Sequence, residues 1–233
     1  MGFFDSVIEQ TIDLLKRDGE LSSCRILKAH PDCFHQSPLS KVTVTVSLGG
    51  KVVRLAETAK FAGPGGSLEQ FGLYFVDAGQ HIEHRLFVDH NAPHTHSNVD
   101  YRGALQGEGA RSVWIGDVLI RKVAENIETY ETNKNLVLTE GARADSVPNL
   151  EIETGEIVGA GHSSTTGRFD DTQLFYLMSR GVSEEEARRL IVHGFFNDII
   201  RRIGVDSIEE KLLAQVEREL ELVHGTTRTA VEA

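Results

Sequence analysis

Short runs in which apolar and polar residues alternate recur along the first two thirds of the chain. The clearest is VTVTVSL at residues 42–48, and a period of two is typical of a half-buried β-strand. Glycines follow such runs at intervals of 30, 30, 30 and 32 residues, at Gly19, Gly49, Gly79, Gly109 and Gly141. Strand, turn and strand at a fixed period predict a β-solenoid, in which each coil buries its apolar face against the next.

Two further turn signals support the repeat. The sequence EGAR occurs twice, at residues 108–111 and 140–143, and AGPGGS at residues 62–67 falls about midway through one repeat. The period leaves open whether thirty residues form one coil or two. An ordinary β-sandwich with glycines spaced by chance is the alternative interpretation.

From about residue 168 the apolar residues recur every three or four positions, which predicts helices. The stretch DDTQLFYLMSRG begins with aspartates suited to a helix N-terminus and ends at Gly181. Ser183 and Glu186 form a capping box for a second helix that ends at Gly204. Gly194 interrupts that helix at a cost of roughly 1 kcal/mol relative to alanine, which predicts a close neighbour there.

A third helix is predicted after Ser207, with Glu210 three residues on. The expected organisation is therefore mainly β: a solenoid over residues 1–165, a small helical domain over residues 166–224 and a flexible tail over residues 225–233.

Composition narrows the classes of partner. The 35 acidic and 24 basic residues give a net charge of −11, which repels phosphate backbones and argues against a nucleic-acid partner. The chain lacks a signal-peptide pattern and an apolar run of the ~18 residues that a membrane span needs, so a cytoplasmic protein is expected. Cys24 and Cys33 are interpreted as free thiols, and no phosphate-binding GxxxxGK[ST] loop is present.

Five of the ten histidines lie between residues 80 and 96: His81, His84, His90, His94 and His96. Imidazole is a common metal ligand, so His90, His94 and His96 are candidates for transient metal contact. Strand alternation would place His94 and His96 on one face, and with Asp100 they are similar to the pattern of cupin-type metal enzymes. A second histidine motif is missing, and a structural or interface role for the cluster is favoured.

Two blocks carry a resemblance to a known family. They are VPNLEIETGEIVGAGHSSTTGRFDDTQLFYLMSRGVSEEEARRLIVHGFF at residues 147–196 and HRLFVDHNAPHTHSNV at residues 84–99. The chain resembles the C-terminal part of the SufB/SufD family of iron–sulfur cluster assembly proteins, and SufD more closely than SufB. The resemblance implies a right-handed parallel β-helix followed by a small C-terminal α-helical domain. Family members are usually longer, so the chain is either a short form or a fragment.

The resemblance also implies partners. It predicts a non-catalytic subunit that pairs with a SufB-like scaffold and docks a SufC-like ABC-type ATPase on its helical domain. Because a truncated solenoid exposes an unpaired coil, a homodimer is expected when the chain is isolated. No cofactor is expected to be stably bound to the isolated chain, and a transient Fe–S cluster is expected at the partner interface. Whether a reduced flavin binds the complex stays open, as do the sulfur donor, the iron donor and the cluster type.

Site residues follow from the resemblance position by position. His162 matches a family histidine at the subunit interface that is implicated in cluster assembly. Ala160 and Thr95 stand where relatives have cysteine, so a partner would have to supply the thiolates. The predicted ATPase-partner surface comprises Phe175, Tyr176, Arg180, Arg188 and Arg189. The alternatives are a cupin-like enzyme using His94, His96 and Asp100, and a passive solenoid interaction module.

Overall fold

A computed structural model describes residues 19–27, 40–203, 210, 212–214 and 216 of the chain. Among the described residues, ten β-strands are followed by two α-helices. The elements are β1 (Gly19–Leu27), β2 (Ser40–Leu48), β3 (Val52–Phe61), β4 (Ser67–Val76), β5 (His81–His90), β6 (His96–Leu105), β7 (Arg111–Ile120), β8 (Ile127–Val137), β9 (Arg143–Ile152), β10 (Ile157–Arg168), α1 (Asp171–Ser179) and α2 (Glu184–Ile203).

Consecutive strands alternate between two parallel sheets. One sheet has the order β1-β3-β5-β7-β9 and the other has the order β10-β8-β6-β4-β2. Val52 pairs with His81, His81 with Arg111 and Arg111 with Arg143, so one repeat of about thirty residues forms one coil with two strands. The predicted parallel β-helix followed by helices is confirmed.

The core lies between the two sheets and takes side chains from both. Alternate residues of each strand point inward, and Trp114, Tyr74 and Tyr101 are the largest of the fully buried side chains. In the final coil the inward side chains are only partly buried: Ala142, Ala144, Leu150, Ile157 and Ala160. The interior is therefore less well covered at β9 and β10, the edge strands of their sheets.

Four of the five glycines of the predicted repeat lie in the turns that precede β3, β5, β7 and β9, and Gly19 begins β1. Gly79 has φ of 70° and Gly141 has φ of 80°, in the left-handed region where a side chain is strained. The fixed spacing of the glycines therefore marks the turn that precedes the first-sheet strand of each coil.

Two other glycines make room for aromatic rings in the interior. A Cβ atom on Gly103 would overlap the ring of Tyr74, and one on Gly72 would overlap the ring of Tyr101. Because packed interiors have few voids, these positions admit no side chain unless the ring moves.

Ion pairs join consecutive coils at the rim of the first sheet. The carboxylate of Asp89, which is 1% exposed, accepts hydrogen bonds from Arg121 at 2.6 and 2.9 Å. It also pairs with Lys60 at 3.4 Å. Because these residues come from β5, the end of β7 and β3, the group ties three coils together.

The helical predictions agree with the structure at both caps. Asp170 caps α1, accepting a hydrogen bond from the backbone N–H of Thr172 at 2.8 Å, and Gly181 follows with φ of 89°. The hydroxyl of Ser183 accepts from the backbone N–H of Glu186 at 3.2 Å. The expectation of a close neighbour at Gly194 was wrong for the part of the chain that the structure describes, because a Cβ atom there would meet no described atom within 4 Å.

The chain divides into two compact units between Gly167 and Arg168. Within the predicted third helix, the described Leu212 and Val216 are buried. The predicted tail at residues 225–233 and Cys33 lie outside the described residues. In the part of the chain that the structure describes, no helix is both long enough and apolar enough to cross a membrane.

Candidate functional site

The histidine-rich stretch is divided by a turn. His81, His84 and His90 belong to β5, and His96 begins β6. His94 lies in the turn between these strands with φ of 59° and is exposed. The prediction that His94 and His96 share one face of a strand was therefore wrong, because the alternation rule applies only within a continuous strand.

His90 is buried and fully hydrogen-bonded. Its Nδ1 lies 2.7 Å from the hydroxyl of Thr95 and its Nε2 lies 2.9 Å from the hydroxyl of Ser97. The ring stacks on Phe61 with 4.7 Å between centroids. Burial, aided by the nearby His96, lowers the pKa of His90 to about 4. Both ring nitrogens are thus engaged by hydroxyl groups within the β-helix.

His84 also faces the interior. Its Nε2 lies 2.9 Å from the hydroxyl of Ser47, and its ring is 5.0 Å from that of Tyr74 and 5.5 Å from that of Tyr101. Burial lowers the pKa of His84 to about 4. The imidazole is therefore a neutral part of the core at neutral pH.

These two histidines are neutral in the folded protein and titrate near 6.5 when unfolded. Their contribution to the free energy of unfolding is therefore complete above pH 6.5. This contribution is lost as the pH falls from 6.5 towards 4, because the unfolded chain binds protons more readily than the folded protein does. Each histidine is expected to contribute about 3 kcal/mol to this loss. Urea unfolding between pH 7.5 and 4 measures it.

The variants His84→Gln and His90→Gln are expected to show a shallower decline over this pH range than the unchanged protein. An exposed histidine provides the control, and His94→Asn should leave the pH dependence as it is. Equal slopes for all four proteins would contradict the assignment of the acid sensitivity to the buried histidines.

The residues of the cupin-like alternative lie in different settings. His96 is on the outer face of its sheet, 3.5 Å from Glu69 and 3.7 Å from Glu128. Asp100 is buried and pairs with Arg102 at 3.5 Å. Across residues 40–203 and the few described beyond them, no group of three or more His, Cys, Asp or Glu side chains is placed to hold a metal ion. The geometry therefore gives this alternative no support.

Strand β8 presents an unusually polar row to the interior. Its inward positions include Thr129, Glu131, Asn133 and Asn135, all at most 3% exposed. The hydroxyl of Thr129 lies 2.6 Å from that of Ser97. Polar groups at such depth are costly unless they are hydrogen-bonded, so the question for each residue of this row is which neighbouring group it bonds to.

The two asparagines of the row belong to a network that spans three strands. Tyr74 on β4 donates to Asn135 at 2.5 Å and accepts from Asn133 at 3.0 Å. Ser146 on β9 donates to Asn133 at 2.6 Å. Burial raises the pKa of Tyr74 well above its ordinary value, so its O–H stays a donor.

Glu131 differs from its neighbours in the row. Its side chain is 1% exposed, and neither carboxyl oxygen has a hydrogen-bond partner among the described residues. The position that a Cβ atom on Gly116 would take lies 2.8 Å from Glu131 Oε1 and 2.7 Å from Trp114 Cζ2, so the carboxyl group lies close to the indole. Burial, aided by Asp117, raises the pKa of Glu131 to about 8.

His162, the predicted cluster-assembly residue, lies on β10, which pairs only with β8 in the described sheet. It is exposed, and Ala160, two residues earlier, packs against the interior core. The hydroxyl of Ser163 donates to that of Thr132, 31 residues earlier, at 3.4 Å. Ala160 and His162 thus lie on the inner face of an edge strand, where the terminal coil is least covered.

The same offset between β10 and β8 recurs in two other contacts. A Cβ atom on Gly161 would lie 2.8 Å from the ring of Tyr130. The backbone N–H of Asn126 donates to the carbonyl of Glu156 at 2.7 Å, as the ladder of a parallel pair with this offset requires. The register between the two strands is therefore well defined.

The helical unit carries an exposed apolar patch. Phe175 is 72% exposed, Tyr176 54%, Met178 43% and Leu190 47%. The guanidinium of Arg180 lies 4.5 Å from the centroid of the Tyr176 ring. Large apolar side chains at this exposure mark interaction surfaces when they cluster.

The two other predicted surface arginines are held by ion pairs on α2. Arg188 pairs with Glu184 at 3.0 Å and lies 4.7 Å from the centroid of the Phe169 ring. Arg189 pairs with Glu186 at 3.5 Å. The aromatic members of the predicted surface are therefore more available to a partner than these two arginines.

The sequence interpretation missed Glu131 and the polar row. In the stretch ETYETNKN at residues 128–135 polar residues occupy both alternations, so a period of two does not reveal which set is buried. The only signal was the lack of apolar residues at the inward positions of β8 between Ile127 and Val137.

One family model and several known proteins are similar in sequence to this chain. Residues 32–195 match the family model described as SUF system FeS cluster assembly, SufBD core domain. The chain is 60% identical over 194 residues to an iron–sulfur cluster assembly SufBD family protein of Mycobacterium tuberculosis, covering 81% of this chain and 49% of the relative. It is 26% identical over 192 residues to the iron–sulfur cluster assembly protein SufD of Escherichia coli, covering 82% of this chain and 45% of the relative.

A third relative is the iron–sulfur cluster assembly protein SufD of Bacillus subtilis. It is 34% identical over 113 residues, which are 48% of this chain and 26% of the relative. The chain spans about half the length of the mycobacterial and Escherichia coli relatives.

Proposed function

The chain belongs to the SufBD family of iron–sulfur cluster assembly proteins, and we propose that it acts as a SufD-like subunit of a SUF assembly complex in the cytoplasm. In this role it pairs with a SufB-like scaffold and docks a SufC-like ABC-type ATPase. It performs no catalysis itself, because nucleotide hydrolysis lies in the ATPase. The cluster is the product of the assembly rather than a resident cofactor of this chain.

The observation that carries the proposal is the composition of the edge strand β10. His162 is exposed there, and Ala160 occupies the inner position two residues before it. The methyl group of Ala160 cannot bind iron or carry persulfide sulfur, as a thiolate can. A subunit with this edge therefore contributes the imidazole and relies on its partner for thiolates.

Thr95 also supports a role in which the partner, and not this chain, supplies the thiolates. Its hydroxyl bonds to His90 and to the carbonyl of Ala92 at 3.2 Å, and the residue is 1% exposed. It thus serves the internal structure of the β-helix, and no thiol is available at this position either.

The open final coil favours pairing through β9 and β10. Both are edge strands of the described sheets, so the backbone groups on one side of each are paired by no described strand, and such edges associate with other strands unless they are covered. A SufB-like coil stacked on this edge would cover the partly buried Leu150, Ile157 and Ala160 and enclose His162. A second copy of the chain would use the same edge in a homodimer when the scaffold is missing.

The apolar patch of the helical unit is the surface proposed for the ATPase. Phe175 and Tyr176 lie on α1 beside Arg180, and aromatic residues with arginine are enriched at the centres of protein interfaces. Arg188 and Arg189 lie on α2 and would contribute at the rim.

Replacement of His162 tests the proposed assembly role. In a complex co-expressed anaerobically with SufB-like and SufC-like partners, His162→Ala is expected to lower bound iron and sulfide at least about tenfold. Recovery of the three subunits should not change, because the side chain is exposed. Iron and sulfide determination on the purified complex is the measurement.

His94→Asn is the matched control, because it removes another exposed histidine and asparagine tolerates the left-handed backbone. Full cluster content in the His162→Ala complex would overturn the assembly role. It would favour a passive interaction module, whereas metal loss in His94→Asn alone would favour the cupin-like alternative.

A further inference from the structure

The register of the last two strands of the second sheet sets His162 beside Glu131. Ser163 on β10 contacts Thr132 on β8 with an offset of 31 residues. In a continuous parallel pair the preceding residues take the same offset. His162 and Glu131 are therefore direct neighbours across the pair.

Both side chains belong to the inner face of their strands. Glu131 is buried among the interior side chains, and His162 follows Ala160, which packs on the interior core, by two residues. Neighbouring strands lie about 4.8 Å apart, a distance that a glutamate and a histidine side chain can bridge. Because the final coil is open, the imidazole can also extend into solvent, as it does in this structure.

The Glu131 carboxyl group has no hydrogen-bond partner among the described residues. The interior side chain of Trp114 packs beside it, and its register neighbour on β6 is the uncharged Val99. The charged group that acts on it from β7 is Asp117, which repels a negative charge. A buried carboxyl group without hydrogen bonds is costly. Two neighbouring groups can donate to it: the imidazole of His162, and the indole N–H of Trp114, which has no partner among the described residues either.

We propose that Glu131 is a positioning residue for His162. When the imidazole turns inward, one ring N–H donates a hydrogen bond to the Glu131 carboxylate, and the other ring nitrogen faces the open edge of the terminal coil. The hydrogen bond fixes both the orientation of the ring and the nitrogen that carries the proton. The inference rests on the proposed function, which gives His162 its part in cluster assembly.

The pairing also changes the charge of the buried group. Alone, the carboxyl is largely neutral at pH 7 because burial and Asp117 raise its pKa to about 8. A donor N–H favours the ionised form and opposes this effect.

Nitrogen NMR of histidine rings in the isolated full chain tests the pairing directly. In the unchanged protein, His162 is expected to show one predominant tautomer at pH 8.5. In Glu131→Leu the two tautomers should mix, because the acceptor that selects one ring N–H is gone. Glu131→Gln keeps an acceptor oxygen and the shape of the side chain, so it should retain the predominant tautomer.

Glu128→Gln is the control, because this residue lies on β8 with an exposed side chain and alternates to the outer face. It should leave the tautomer of His162 unchanged. An unchanged His162 spectrum in Glu131→Leu would overturn the inference, as would an equal change in the control.

Cluster content links the pairing to assembly. In the co-expressed complex, Glu131→Leu should lower iron and sulfide about tenfold and have no further effect when combined with His162→Ala. Independent, multiplicative losses would contradict positioning. If the unchanged chain supports no cluster with its partners, the proposed function fails, and the NMR result still decides whether Glu131 pairs with His162.

Discussion

Gly103→Ala is expected to lower the free energy of unfolding by at least about 3 kcal/mol or to prevent folding, as severe overpacking of a core does. The added methyl group would overlap the ring of Tyr74. That ring cannot move freely, because its hydroxyl bonds to Asn133 and Asn135. Urea unfolding followed by circular dichroism measures the effect.

Gly159→Ala is the matched control on β10, because a Cβ atom there would meet nothing within 4 Å. Its free energy of unfolding should stay within about 0.5 kcal/mol of that of the unchanged protein. If Gly103→Ala were equally well tolerated, the close packing of coils around Tyr74 would be incorrect.

Phe175→Asp combined with Tyr176→Asp is expected to weaken binding of the SufC-like ATPase at least about 100-fold, since central aromatic residues contribute 2 kcal/mol or more each. Both side chains are mostly exposed, so the fold should be unaffected by their loss. Two carboxylates at the centre of an apolar contact would be desolvated without partners. Biolayer interferometry with the purified ATPase gives the dissociation constant.

Gln173→Asp on the same helix is the control for added charge, and it should change the dissociation constant less than about threefold. An unchanged affinity in the double variant would show that the ATPase docks elsewhere. Loss of affinity in all variants would instead point to a general effect of negative charge.

The fold was predictable from the sequence because its signals are local. Strand alternation and left-handed glycines such as Gly79 and Gly141 act within a few residues, and their period marks the coils. Whether thirty residues form one coil or two was not predictable. The answer depends on which strands pair, and each strand pairs with residues about thirty positions away. Helix caps at Asp170 and Ser183 were read correctly for the same local reason.

The interior was harder to predict. Gly194 was expected to make room for a neighbour and does not, whereas Gly103 does so for a ring from the preceding coil. Strand β8 around Glu131 has polar residues on both faces. Which of them are buried is therefore decided by the packing of neighbouring coils and not by the alternation of apolar and polar residues. His162 was identified through the family resemblance, and its neighbour Glu131 emerges only from the strand register.

Anaerobic co-expression of the chain with SufB-like and SufC-like partners, followed by size-exclusion chromatography with mass, iron and sulfide determination, tests the central claim most directly. The account predicts one peak that contains all three proteins, together with iron and sulfide. Elution of this chain apart from both partners, with no iron and sulfide in any shared peak, would contradict it.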